Sequence, residues 1–194
     1  MTSTAPVGHV PYTEYLVAEH TSQVRHEYLK GSILAMAGCT PEHGAPAAAI
    51  IRDIGVALRG KPCRVYSSDL RIRIIETDLA TYPDASVVCG RLETAPDDPN
   101  AAINPTLLVE VLSESTEAYD RGAKAAHYRR IPSLKEYVLV AQDEPRIEVY
   151  RRNDRGGWEL YEARSGAQLR LESVGVDLDV DAVYENPLEA AGKL

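Results

Sequence analysis

The order of apolar runs along this chain predicts a mixed α/β domain, a sheet flanked by helices. Three observations carry that reading. Two pairs of short apolar runs, each split by a turn signal, read as hairpins near either end of the chain. Two stretches with helical spacing lie between them. Leu107-Leu108-Val109-Glu110-Val111-Leu112 is so continuously apolar that it reads as a central strand. At 194 residues the chain is one domain, residues 1–194, with an ordered core from about 12 to 184.

Taken in order, Pro11 and Thr13 open a short helix over Tyr12 to His20, with Tyr15 and Leu16 inward. Lys30-Gly31 splits a hairpin, Arg25 to Leu29 and Ser32 to Ala37. Thr40-Pro41-Glu42-His43 is a helix entry, with Thr40 or Gly44 as the cap. The helix carries Ala47, Ile50, Ile51, Ile54 and Leu58 and stops at Gly60. Cys63 to Ser68 and Leu70 to Ile74 alternate as strands, which puts Arg71 and Arg73 on the wetter face. Tyr82 to Cys89 is a strand with proline near its start, and Gly90 to Asn104 reads as a surface loop. A helix from Glu117 to Arg130 ends at Pro132, and Glu136 to Val140 is a further strand. Arg146 to Arg151 and Trp158 to Ala163 form the second hairpin, followed by a strand at Gln168 to Leu171 and a helical turn at Ala182 to Tyr184.

Composition narrows the function. No apolar run approaches the ~20 residues of a membrane helix, and Met1 to Pro6 lacks the pattern of a signal peptide, so a cytoplasmic protein without a membrane partner is expected. Cys39, Cys63 and Cys89 match neither a disulfide framework nor a zinc pattern, so they read as buried free thiols. The net charge of −8 argues against wholesale electrostatic binding of nucleic acid. A local strip from Arg121, Lys124, Arg129, Arg130 and Lys135 is compatible with phosphates all the same.

Two carboxylates stand out. Asp84, in Tyr82-Pro83-Asp84, and Glu110 both lie in apolar strands, where an unpaired carboxylate costs several kcal/mol. If those strands pair, the two carboxylates stand ~5 Å apart, close enough to share a cation. Oxygen ligation of this kind suits magnesium or manganese. Lys124 then adds a fixed positive charge, although Asp120 four residues earlier also makes it suit an ordinary surface pair. Glu27 is a possible third metal-shell carboxylate or an exposed strand residue. His43, at a helix start, suits contact with a phosphate and suits local helix-entry chemistry about equally. Asp69 reads as a turn residue with an outside chance of a supporting role, and Tyr128, on the helix face of Lys124, as a packing residue first and a secondary site residue second.

These residues, with Glu110-Val111-Leu112-Ser113, Tyr119-Asp120-Arg121-Gly122-Ala123-Lys124 and Tyr128 to Tyr137, resemble the Uma-type family of endonucleases, from about Tyr12 to Tyr184. That family belongs to the restriction-endonuclease-like superfamily, whose signature is Pro-Asp followed by Asp/Glu-x-Lys. The resemblance implies an α-β-β-β-α-β core with a mixed central sheet, a magnesium-dependent phosphodiesterase activity on nucleic acid, foremost DNA, and Asp84, Glu110 and the backbone carbonyl of Val111 as metal ligands. One departure matters. The superfamily's lysine stands two residues after the acid, where this chain has Leu112, so the role maps onto Lys124.

Three function classes follow: a metal-dependent nuclease, a catalytically silent nucleic-acid-binding module, and a structural or interaction domain. Cleaving both strands of a duplex takes two active sites, so a homodimer is expected, formed through the strands near Arg146 to Ala163.

Overall fold

The computed structural model describes residues 8–36, 38–186 and 188. The predicted end of the first hairpin at Ala37 and the N-terminal segment Met1 to Pro6 lie outside the described residues.

The chain builds two six-stranded sheets where the sequence suggests one. The first holds β1 (His26–Leu29), β2 (Ser32–Ala35), β4 (Arg71–Ile74), β5 (Leu79–Thr81), β7 (Thr94–Ala95) and β8 (Asp98–Ala102), in the order β2-β1-β5-β4-β8-β7. The second holds β3 (Cys63–Ser67), β6 (Ala85–Cys89), β9 (Leu107–Leu112), β10 (Glu136–Ala141), β11 (Arg146–Arg152) and β12 (Trp158–Arg164), in the order β12-β11-β10-β9-β6-β3. It is mixed: β9 and β10 run parallel and every other neighbouring pair antiparallel. A small hairpin of β13 (Gln168–Leu171) and β14 (Val176–Asp179) follows.

Helix α1 (Tyr12–Thr21) and helix α2 (Pro41–Ala57) stand where the sequence places them, and Thr40 caps α2 by accepting a hydrogen bond from the His43 N–H. At the first hairpin turn Lys30 and Gly31 both have positive φ, 49° and 88°, which the Gly suits and the Lys tolerates.

Parallel strands need a crossover. Between β9 and β10 it is helical, comprising α3 (Glu117–Tyr119), a π-helical turn (Asp120–Lys124) and α4 (Ala125–Tyr128), with α5 (Val180–Tyr184) closing the chain. The predicted helix is therefore interrupted by one widened turn, and the Tyr137 hydroxyl donates to the Asp120 carbonyl there, at 3.1 Å. Strand period then sorts β9. Leu107, Val109 and Val111 pack with Ile50 and Ile54 of α2, whereas Leu108 and Leu112 pack with Ala125 and Tyr128 of the crossover. Glu110 lies between the latter two, so it faces the crossover.

Four expectations need correction. Gly90 to Asn104 is not a surface loop: it contributes β7 and β8, with Asp98, Ala101 and Ala102 buried, because Asp98 meets the Arg71 guanidinium. Arg71 and Arg73 do not face water. Arg71 is enclosed by Asp98 and Tyr82, while Arg73 pairs with Asp78 and lies 3.8 Å over the Tyr12 ring. The strand read from Tyr82 begins only at Ala85, since Asp84 bends away to bond the β9 backbone, and Leu79–Thr81 forms an unforeseen strand. The cysteines are not three buried free thiols. Cys63 and Cys89 are register partners on β3 and β6, with Cα atoms 4.0 Å apart, and form a disulfide; Cys39 is free and exposed.

Candidate active site

β6 and β9 pair antiparallel with Ala85 opposite Val109, so one further step along the ladder sets Asp84 across from Glu110. The pairing on which a shared cation depends is what the fold contains. Asp84 Oδ2 accepts the Val111 N–H at 2.7 Å and has His43 Nε2 of α2 3.3 Å away. A continued ladder would place Pro83 across from Val111, and proline has no N–H to offer the Val111 carbonyl.

The crossover brings Lys124 onto Glu110. Lys124 Nζ lies 3.0 Å from Glu110 Oε1, 3.1 Å from Glu27 Oε1 and 3.3 Å from Asp120 Oδ1. The side chains of Lys124, Glu110, Glu27 and Asp120 are all more than nine-tenths buried. The reading of Lys124 and Asp120 as a solvated helix pair is therefore overturned: the pair exists, but it points into the protein. Tyr128 does more than pack, since its hydroxyl donates to Glu110 Oε1 at 2.6 Å. Glu27 is held by the Thr81 hydroxyl and by Tyr119, whose hydroxyl lies 3.2 Å from Oε2.

Burial pushes the Glu110 carboxyl up to about 8, against the pull of Lys124. For Lys124 burial works to lower the pKa, but Glu110, Glu27 and Asp120 outweigh it and hold the ammonium well above its usual range. Burial likewise raises Asp120. The hydrogen bond to Asp84 raises His43 to about 9. The cluster thus sets four carboxyl groups, Glu27, Asp84, Glu110 and Asp120, against one lysine and one histidine.

Not every predicted residue arrives here. Asp69 is exposed and pairs with Arg25 at 3.0 Å, and its described contacts do not reach the cluster. The expected basic strip is largely neutralised: Arg121 is tied to Glu117 and Glu148, Arg130 pairs with Glu76, and Lys124 is buried. Asp120, Tyr119 and Thr81 were missed as site residues. Only the Asp120-x-x-x-Lys124 spacing hints at the first, and a strand or helix context does not mark the other two.

The donors suit a hard cation. Among the described residues no three His, Cys, Asp or Glu side chains already stand grouped to hold a metal. Asp84 and Glu110 nonetheless supply two carboxylates, and the Val111 carbonyl is a third oxygen. Magnesium needs no more, since it keeps several waters of its own. The residues present fit the ion.

The model of the family described as "Uma2: Putative restriction endonuclease" matches residues 12–181. The chain belongs to this family. Among relatives of this Uma2 chain, the protein slr1290 of Synechocystis is 37% identical over 183 residues, spanning 93% of this chain and 94% of that one. A second Synechocystis protein, sll1609, is 31% identical over 149 residues, spanning 77% of this chain and 84% of its own. A crystal structure described as "a putative nuclease belonging to DUF820", from Anabaena variabilis, superposes with a TM-score of 0.70 at 18% identity, covering 89% of this chain and 96% of that one. That likeness establishes the fold, and the restriction-endonuclease-like expectation holds.

Proposed function

We propose that this Uma2 chain is a magnesium- or manganese-dependent endonuclease that hydrolyses phosphodiester bonds of DNA. The observation that carries the reading is the buried lysine of the crossover held 3.0 Å from the strand carboxylate Glu110, with Asp84 on the neighbouring strand. Family membership and the nuclease title of the structural neighbour support it.

Asp84, Glu110 and the Val111 carbonyl would hold the ion, which when bound supplies an activated water and neutralises charge on the phosphate. Lys124 keeps its proton because three carboxylates surround it, and so presents a permanent positive charge to the charge that develops in the transition state. Glu27, Asp120 and Tyr119 fix that ammonium in place; Tyr128 fixes Glu110. His43, at the start of α2, stands beside Asp84 where a phosphate oxygen can reach it.

The active form is a homodimer, which supplies two sites for two strands. The seven-residue edge strand β12, with Leu160 and Tyr161 exposed, supports pairing through that edge. Sedimentation as a monomer at micromolar concentration would overturn this part. The activity is tested by nicking of supercoiled plasmid with magnesium or manganese. Metal-dependent nicking lost in Asp84→Ala is expected; nicking that persists equally in the variant removes the proposed site.

A further inference from the structure

A cavity of about 500 Å³ opens around Arg25 and Tyr82 and shares no wall residue with this cluster. That size lies within the range of small-molecule sites, roughly 300–1,000 Å³. Its wall includes Arg25, Tyr82, Ser22, Leu92 and Asn100. Two of these tie it to the reaction centre. Tyr82 precedes Asp84 by two residues. Arg25 continues β1, its carbonyl accepting the Met36 N–H, so it shares the face of Glu27 about 7 Å along the strand.

The Arg25 guanidinium lies over the Tyr82 ring, 5.2 Å from its centroid. Tyr82 is only 2% exposed, so the arginine covers it, while the Arg25 side chain is itself 48% exposed. Asp69 holds the guanidinium from the side at 3.0 Å. The result is a supported, solvent-facing cationic plane at the rim of a cavity, a surface on which a nucleobase stacks. Asn100, which offers both a donor and an acceptor, stands in the same wall.

We propose that this cavity receives the nucleobase of an unstacked nucleotide next to the scissile phosphate, with Arg25 as its stacking platform. The proposal rests on the nuclease reading. It defines the substrate class further: nucleic acid with an unpaired or readily extruded nucleotide at the cleavage position, since a paired base cannot leave the stack without cost. The acidic surface accords with it, because a chain of net charge −8 gains little from tracking a long run of phosphates.

The test is binding measured by fluorescence anisotropy in EDTA. It compares a duplex carrying a one-nucleotide bulge with the same duplex whose bulged nucleotide is abasic. The base should tighten binding about tenfold, the scale of one base–side-chain stack. Arg25→Ala and Arg25→Lys should both abolish the difference, because lysine restores the charge but not the plane. Equal affinity of the wild type for both duplexes overturns the proposal, and so does full discrimination by Arg25→Lys. Arg25 is half exposed, and melting curves of both variants check that the fold is kept. Cleavage is scored separately with manganese. Discrimination without cleavage counts against the enzyme and for the pocket, and cleavage without discrimination does the reverse.

Discussion

Lys124 Nζ lies 3.0 Å from Glu110 Oε1, although one residue sits in a π-helical turn and the other in the middle of the central strand. The superfamily's acid-x-lysine spacing is absent from the sequence, yet the charge it delivers stands beside the acid. A crossover between parallel strands must pack back on the sheet, and that packing does what local spacing does elsewhere.

Replacement of Lys124 by methionine should therefore slow single-turnover cleavage by about a hundred- to a thousandfold, the scale of one lost electrostatic contact. It should also lower the melting temperature, because removing one partner of a buried ion pair costs roughly 3–5 kcal/mol. An unchanged rate constant at saturating magnesium would assign the charge to another residue.

Manganese titration by calorimetry should show one site per chain in the wild type and none in Asp84→Ala. Glu27→Gln should keep it, since Glu27 is engaged by Lys124, Thr81 and Tyr119. Loss of the site in Glu27→Gln would make Glu27 a ligand after all.

In the metal-free protein the His43 imidazole should titrate near 9, held up by Asp84, and fall back toward its ordinary value in Asp84→Asn. Its pKa is raised on folding, so this contact stabilises fully below pH ~6.5 and is lost as pH rises through about 9. Carbon-detected titration of labelled histidine reads this directly. A wild-type value near 6.5 would mean that the contact with Asp84 does not form.

The turn that carries Lys124 is pinned from the sheet. Arg121 bonds Glu148, which is the register partner of Leu139, itself the partner of Glu110. Burial alone would raise Glu148, but Arg121 and Arg146 hold it below the usual range, so the clamp persists at neutral pH and fails only as pH falls through that lowered value. Glu148→Gln should cost about 1.5–3 kcal/mol, as for hydrogen bonds to charged groups, and speed amide exchange at residues 120–124. Unaltered exchange there would release Glu148 from this role.

Reduction of the Cys63–Cys89 bond should lower stability by ~2–4 kcal/mol, typical for a bridge closing a loop of this length. Denaturant unfolding of the wild type and of Cys63→Ser/Cys89→Ser, with and without reductant, measures it. Identical midpoints throughout would show that the thiols are not joined in solution.

The sequence by itself determined the helices at Tyr12 and Pro41, both hairpins and the buried run around Glu110. Each depends on signals within a few residues: a cap, a turn dipeptide, a period of two or of 3.6. The tertiary structure alone decided what long-range packing controls. Arg71 and Arg73 alternate like solvent-facing residues, but helix α1, the neighbouring strand β8 and the segment after β5 close over them and supply the Tyr12 ring, Asp98 and Tyr82 as partners. Cys63 and Cys89 become neighbours only through the register of β3 against β6. Asp120 and Lys124 have the spacing of a surface ion pair, and nothing local says which way that pair faces. The direction is set by Glu110 and Glu27, which come from different sheets and are too deeply buried to stay charged without a cation between them.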